Sequence, residues 1–175
     1  MRKFETTYSQ AGQDLAAAEV CDKTEGFYLD LGCNDPIFHN NTYLLEKELG
    51  WTGILVDIQK PMVDKCRNVR TDHNSYVSCD LITTNITEVL DSLKCPKHID
   101  YISFDVDDAT SHVLGDFDFD KYSFSFITFE HDLYRIGPEL KQLANKLFIS
   151  KGYTMYRENV CASPVEIFED WYIKE

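Results

Sequence analysis

The segment from Phe27 to Gln59 reads FYLDLGCNDPIFHNNTYLLEKELGWTGILVDIQ and contains two short apolar runs, FYLDL and GILVDI. Each run carries an aspartate near its end, Asp30 in the first and Asp57 in the second, and Gly32 follows the first run. Short apolar runs bounded by polar residues and glycine are typical of buried strands. The segment therefore predicts two strands whose carboxyl ends both present a carboxylate.

The residues between these strands predict a helix over 43–49. Its three leucines share one face, Thr42 suits the N-cap position, and Gly50 suits the helix stop. A strand–helix–strand unit of this kind places its two strands in parallel, with the helix packed on the sheet.

The same alternation continues through the rest of the chain. Further strands are predicted over 75–78, 99–106 and 124–129, and an antiparallel hairpin over 153–160 and 166–173. Helices are predicted over 9–20, 61–69, 86–93, 111–114 and 138–151. This order predicts one α/β domain over 1–175, with a Rossmann-like, doubly wound, mostly parallel sheet and a C-terminal antiparallel hairpin. Residues 1–22 are predicted to be its N-terminal helical segment.

Composition excludes several classes of protein. The 175 residues are 43% hydrophobic and 13% aromatic, which predicts a folded chain. A formal net charge of −13 argues against a nucleic-acid partner, because neutralising phosphates needs clustered Lys and Arg. No apolar run approaches the ~18 residues of a membrane span, so we expect no membrane partner. The six cysteines are scattered, which favours free thiols and a cytoplasmic location.

The first three strand ends predict a nucleotide-type cofactor. Gly32 allows the backbone to approach a ligand closely, and Asp30 lies beside it. Asp57, at the end of the second strand, is placed to accept hydrogen bonds from ribose hydroxyls, and Asp80, after the third, from an adenine amino group. The alternative is that these aspartates only cap turns and helices. A nicotinamide cofactor is disfavoured because G-x-G-x-x-G is missing.

The fourth and fifth predicted strands end in clustered acids, FDVDDAT over 104–110 and FEHD over 129–132. Adjacent parallel strands would bring these carboxylates to one rim, where they raise each other's pKa unless a cation is present. The cation could be a metal or a positively charged group of a cofactor. The alternative is a solvated acidic loop.

Four stretches of the chain resemble FkbM-type S-adenosylmethionine-dependent methyltransferases. They are YSQAGQDL over 8–15, the stretch over 27–59 with its fairly specific NTYLLEKELGW, the stretch over 99–135 that begins IDYISFDVDDAT, and the tail FEDWYI over 168–173. The resemblance implies a methyltransferase fold, S-adenosylmethionine as cofactor and methyl transfer to a hydroxyl oxygen of a sugar or another small molecule. It also assigns cofactor contacts, which are Asp30, Gly32 and Asn34 in the first loop, Asp57 at the ribose, and Asp105 after the fourth strand.

Methyl transfer from a sulfonium requires an aligned acceptor and removal of its proton. By residue type, His131 is the expected general base. Asp105 and Glu130, with Asp107 or Asp132, could instead hold a divalent metal that lowers the pKa of the acceptor hydroxyl. Oxygen ligands of this kind favour Mg²⁺, Mn²⁺ or Ca²⁺.

Two other functions stay open, a methyltransferase-fold binding protein without activity and a small nicotinamide-dependent reductase. The acceptor is expected to be a small molecule or a carbohydrate. With 175 residues, its site is expected to come from rim loops, from the N-terminal segment acting as a lid, or from the second subunit of a homodimer.

Overall fold

Seven strands form one sheet in the structure, a computed structural model that describes Phe4 and residues 6–174. The strands are β1 (Phe27–Leu31), β2 (Thr52–Asp57), β3 (Ser75–Ser78), β4 (His98–Phe104), β5 (Ser123–Glu130), β6 (Thr154–Cys161) and β7 (Ile167–Ile173). Their order across the sheet is β3-β2-β1-β4-β5-β7-β6. Strands β1 to β5 are parallel, whereas β7 is antiparallel to both β5 and β6. The predicted fold class is confirmed, including the C-terminal hairpin.

Seven α-helices lie within the described residues, one before β1 and six between the strands. They are α1 (Gln13–Cys21), α2 (Tyr43–Leu49), α3 (Lys60–Val69), α4 (Ile86–Ser92), α5 (Thr110–Asp116), α6 (Leu133–Ile136) and α7 (Glu139–Ser150). Helix α1 starts four residues later than predicted, because Gly12 adopts a left-handed conformation (φ 84°) directly before it. The short helix α6 was not predicted, since four residues are too few to show a periodicity.

The sheet is buried on both faces, as parallel sheets are. On β1, Leu29 and Leu31 face a cluster that includes Phe104 and Phe148, whereas Tyr28 faces the opposite cluster. Alternate residues of one strand therefore fill two different cores. This double burial leaves the carboxyl-end rim as the place where polar loops gather.

All six cysteines are free thiols, as the sequence predicted. Within residues 6–174 and Phe4, no helix is long and apolar enough to cross a membrane. Residues 1–3 and 5 of the predicted N-terminal segment lie outside the described residues.

Candidate active site

A cleft of about 390 Å³ opens at the carboxyl ends of β1 to β4. Ligands bind at this edge in open α/β sheets. Six of the predicted site residues line it, namely Gly32, Asn34, Asp57, Asp80, Asp105 and Asp107. Three others do not, namely Asp30, Glu130 and His131.

Gly32 brings the end of β1 against the end of β4. Its φ is +87°, and a β-carbon there would lie 1.6 Å from the backbone carbonyl oxygen of Asp105. Gly32 N–H donates to the Val56 carbonyl, and Asp105 N–H donates to the Leu31 carbonyl. A side chain at position 32 would therefore separate three strand ends.

Asp57 joins the loops that follow β1 and β2. Its Oδ2 accepts the Asn34 N–H at 2.9 Å, and its Oδ1 accepts the Gln59 N–H at 2.7 Å. Asn34 has a left-handed backbone (φ 42°), which asparagine tolerates better than most residues. Each carboxylate oxygen still has one lone pair for a ligand hydroxyl.

Asp80 forms a turn after β3, in which its Oδ1 accepts the Ile82 N–H at 2.9 Å. Ile82 and Ile58 both line the cleft with exposed side chains, at 47% and 63% exposure. Two exposed isoleucines beside a polar cleft form an apolar wall. Neither isoleucine was predicted as a site residue, although Ile58 directly follows the strand-end Asp57, which was a usable signal.

Asp30 is buried, and its carboxylate accepts a hydrogen bond from another side chain of the protein instead of facing the cleft. Thr42 Oγ1 donates to Asp30 Oδ2 at 2.7 Å. The prediction that the Thr42 side chain caps α2 is therefore wrong. Asn40 Oδ1 instead accepts the Thr42 and Tyr43 N–H groups. Burial raises the pKa of Asp30 to about 6, while the hydrogen bond from Thr42 and the charge of Arg70 oppose this rise.

Arg70, at the end of α3, organises the loop between β1 and α2. Its side chain is fully buried and donates to Glu46 Oε2 at 2.7 Å and to the Tyr28 hydroxyl at 2.9 Å. It also donates to Asn40 Oδ1 at 3.2 Å. A buried arginine with several acceptors fixes their relative positions. These contacts span more than twenty residues, so no local pattern could reveal them.

Asp105 directly follows β4, and Glu130 is the last residue of β5. Because Phe104 pairs with Phe129 in the parallel register, Asp105 and Glu130 lie side by side. Burial is the largest cause of a raised pKa for both carboxyl groups. The neighbouring Asp105 raises the pKa of Glu130 further, whereas the hydrogen bond from Glu130 lowers that of Asp105. Burial and the neighbouring carboxyl group therefore favour the protonated form of Glu130, and Asp105 is the member of the pair that lines the cleft.

Glu169 on β7 extends this acidic group, since it lies directly opposite Glu130 in the strand register. It is 1% exposed, and the Trp171 indole N–H donates to it. Burial raises the pKa of Glu169 to about 8, and the charge of Asp105 adds to this rise. Glu169 was not predicted as a site residue, because it lies in the tail hairpin, far along the chain from the other rim residues.

His131 lies away from the cleft lining. Strand β5 ends at Glu130, and the His131 side chain turns into the protein, with Nε2 3.4 Å from Asp170 Oδ1. Its Nδ1 accepts the Leu133 N–H at 3.2 Å. Both ring nitrogens thus face protein groups, so a role as general base would require the loop to rearrange.

The metal prediction is not supported. Among Phe4 and residues 6–174, no three or more His, Cys, Asp or Glu side chains come together as a metal site. Burial and the nearby Asp105 raise the pKa of Glu130, and Arg135 Nη2 pairs with Asp132 at 2.6 Å. Asp107 lines the cleft with an exposed side chain. The raised pKa of Glu130 and the charge of Arg135 both reduce the repulsion between carboxylates for which a metal was expected.

No protein-family model and no curated protein matches this sequence. Solved structures do share its fold. An O-methyltransferase from Bacillus cereus in complex with S-adenosylhomocysteine aligns with a TM-score of 0.65 and 12% identity, covering 98% of this chain and 84% of that one. An rRNA methylase from Streptococcus thermophilus aligns with a TM-score of 0.60 and 11% identity, covering 98% and 99%.

Aeropyrum pernix fibrillarin, solved with natively bound S-adenosylmethionine, aligns with a TM-score of 0.61 and 11% identity, covering 94% of this chain and 74% of that one. The three proteins have different names but share one fold. The resemblance to the FkbM type rests only on the sequence segments quoted above. The chain therefore has the fold of S-adenosylmethionine-dependent methyltransferases.

Proposed function

We propose that the protein is an S-adenosylmethionine-dependent methyltransferase that acts on a hydroxyl group of a small molecule or carbohydrate. One observation carries the proposal. On a methyltransferase fold, the cleft at the strand ends combines Asp57 after β2, a close approach at Gly32 after β1, and Asp105 after β4. The bound cofactor supplies an electrophilic methyl group.

The β2 and β3 ends are suited to the nucleoside half of the cofactor. Asp57 would accept the ribose hydroxyls, with Asn34 and Gln59 holding its carboxylate in place. Ile58 and Ile82 would cover the adenine faces, and burying their exposed side chains would favour binding. The Asp80 carboxylate is placed to accept from the adenine amino group.

Asp105 is the residue best placed to take the acceptor proton. It lines the cleft and lies beside Glu130, whose burial and nearness to Asp105 favour its protonated form. Burial raises the pKa of Asp105, which makes it a stronger base than an exposed aspartate. His131 as the base stays a prediction, which its burial against Asp170 disfavours.

The charge of the cleft supports a neutral or cationic acceptor. Its described lining includes Asp57, Asp80, Asp105, Asp107 and Asp108 but no lysine or arginine. A phosphate backbone would meet several negatively charged side chains there and no lysine or arginine, which disfavours an RNA acceptor. This charge pattern, together with the net charge of −13, favours small hydroxyl compounds.

Binding and turnover test the proposal separately. Calorimetry should detect S-adenosylmethionine and S-adenosylhomocysteine but not NAD. A methyl-transfer assay should then be run against a panel of sugars, other small alcohols and an RNA transcript, with labelled S-adenosylmethionine as donor. Binding of NAD alone would refute the proposal. Cofactor binding without transfer to any acceptor would favour a binding protein instead.

A further inference from the structure

The N-terminal segment ahead of α1 is held by one buried carboxylate. Asp14 is 0% exposed, and it accepts hydrogen bonds from Thr7 Oγ1 at 2.6 Å, Ser9 Oγ at 2.7 Å and the Tyr8 N–H at 2.7 Å. The Ser9 and Leu15 N–H groups donate to it as well. Within the described residues, no lysine, arginine or histidine pairs with it. The segment itself therefore compensates this buried charge.

These hydrogen bonds fold residues 7–11, which we call the strap, back toward the rim of the sheet. The Tyr8 carbonyl accepts the Asn40 N–H at 3.0 Å, and the Tyr8 ring packs edge-on against Tyr43 at 4.8 Å between centroids. Lys47 Nζ donates to the Tyr8 hydroxyl at 2.8 Å. The strap is thus attached to the loop that carries Asn34.

The strap ends at the cleft. Gln10 lines the cleft with an exposed side chain, although it lies before β1 in the chain. Three residues later, Gln13 is 2% exposed, and its Oε1 accepts the Ala11 N–H at 2.8 Å. Gln10 is the one cleft residue contributed by this segment, among the residues that the structure describes.

We infer that Asp14 is a positioning residue, which holds the strap so that the Gln10 carboxamide reaches the bound cofactor. The inference rests on the proposed function for the identity of that ligand. Its physical basis is preorganisation: a strap that is already ordered loses little conformational entropy when a ligand binds. A buried carboxylate with five donors orders the strap more firmly than a neutral side chain would.

The test compares Asp14→Asn, Gln10→Ala and the control Asp100→Asn. Asparagine at position 14 has the same shape as aspartate, but its NH₂ group replaces one carboxylate oxygen and faces the donors of the strap. Some of those N–H and O–H groups are then left without an acceptor. Asp100 is a similarly buried carboxylate, but it binds Lys23 and the Phe27 N–H, at the opposite end of the strands. Each variant is measured by calorimetry with S-adenosylhomocysteine and by amide hydrogen exchange without ligand.

We expect Asp14→Asn to speed exchange over residues 7–11 while strands β1 to β5 stay protected, and to weaken S-adenosylhomocysteine binding about tenfold. Gln10→Ala should weaken binding to a similar degree with normal exchange, and Asp100→Asn should keep wild-type affinity. Wild-type affinity in both Asp14→Asn and Gln10→Ala would overturn the inference, as would exchange that rises equally in the strap and the strands.

Failure of the proposed function looks different. If the wild-type protein does not bind S-adenosylhomocysteine, the methyltransferase proposal fails by itself. Faster exchange confined to the strap in Asp14→Asn would still support the positioning role, whereas unchanged exchange would overturn it.

Discussion

A β-carbon on Gly32 would lie 1.6 Å from the backbone carbonyl oxygen of Asp105, so the ends of β1 and β4 are close enough to require glycine. The two residues also line the same cleft. The glycine thus sets where the Asp105 carboxylate lies relative to the first loop.

Gly32→Ala should lower the free energy of unfolding by at least about 2 kcal/mol, because alanine meets both a left-handed backbone and the Asp105 carbonyl. Gly50→Ala is the control, since Gly50 also has a positive φ (+69°) but nothing lies within 4 Å of its β-carbon position. Urea unfolding measures both. Equal losses in the two variants would mean that the contact with Asp105 contributes nothing.

Asp57→Ala should weaken S-adenosylhomocysteine binding by roughly 1–3 kcal/mol, because ribose hydroxyls lose an ionised acceptor and the Asn34 N–H loses its partner. Asp64→Ala, an exposed aspartate on α3, should bind normally. Calorimetry gives both affinities. Unchanged binding in Asp57→Ala would reduce Asp57 to a residue that only connects loops.

Asp105→Asn should lower the rate of methyl transfer by about 10²–10⁴-fold while cofactor binding persists, as expected when a general base is removed. His131→Gln should cost less than about tenfold, because its side chain faces Asp170 rather than the cleft. Single-turnover kinetics separates chemistry from binding. The reverse order of effects would identify His131 as the base and show that its loop rearranges.

Chelation tests the metal independently. The described residues offer no group of three ligating side chains, so EDTA should leave the transfer rate unchanged. Loss of activity with EDTA and its recovery with Mg²⁺ or Mn²⁺ would instead show that acceptor binding assembles the ligands.

Stability should depend on pH through Glu169. Burial raises its folded pKa from 4.5 to about 8, so the folded state keeps a proton that the unfolded state releases in between. The stabilisation from this group is full below the unfolded pKa and is lost as pH rises through the folded one. Between those values it falls by about 1.4 kcal/mol per pH unit.

Glu169→Gln should remove this slope, whereas the control Glu19→Gln, an exposed glutamate on α1, should keep it. Urea unfolding from about pH 5 to about pH 8 gives the difference between wild type and each variant. Parallel curves for wild type and Glu169→Gln would show that Glu169 titrates normally in the folded protein.

The order of strands and helices was predictable because local chemistry decides it. Strand Phe27–Leu31, helix Tyr43–Leu49 and strand Ser75–Ser78 lie where the apolar periodicity and the stop residues placed them. Strand β4 was predicted to reach Val106 but ends at Phe104. Just after the end of β4, the Asp105 N–H donates to the Leu31 carbonyl of the neighbouring strand β1. This contact depends on a residue far away in the chain, so no local sequence pattern encodes it.

For the candidate site, the sequence by itself determined which residues end the strands, because a strand end is a local property. The tertiary structure alone decided what each side chain meets there. It directs Asp30 to Thr42 and His131 to Asp170, and it places Glu130 beside Asp105. These outcomes depend on burial and on neighbours distant in the chain, since a carboxyl group's pKa is set by the solvent and charges around it.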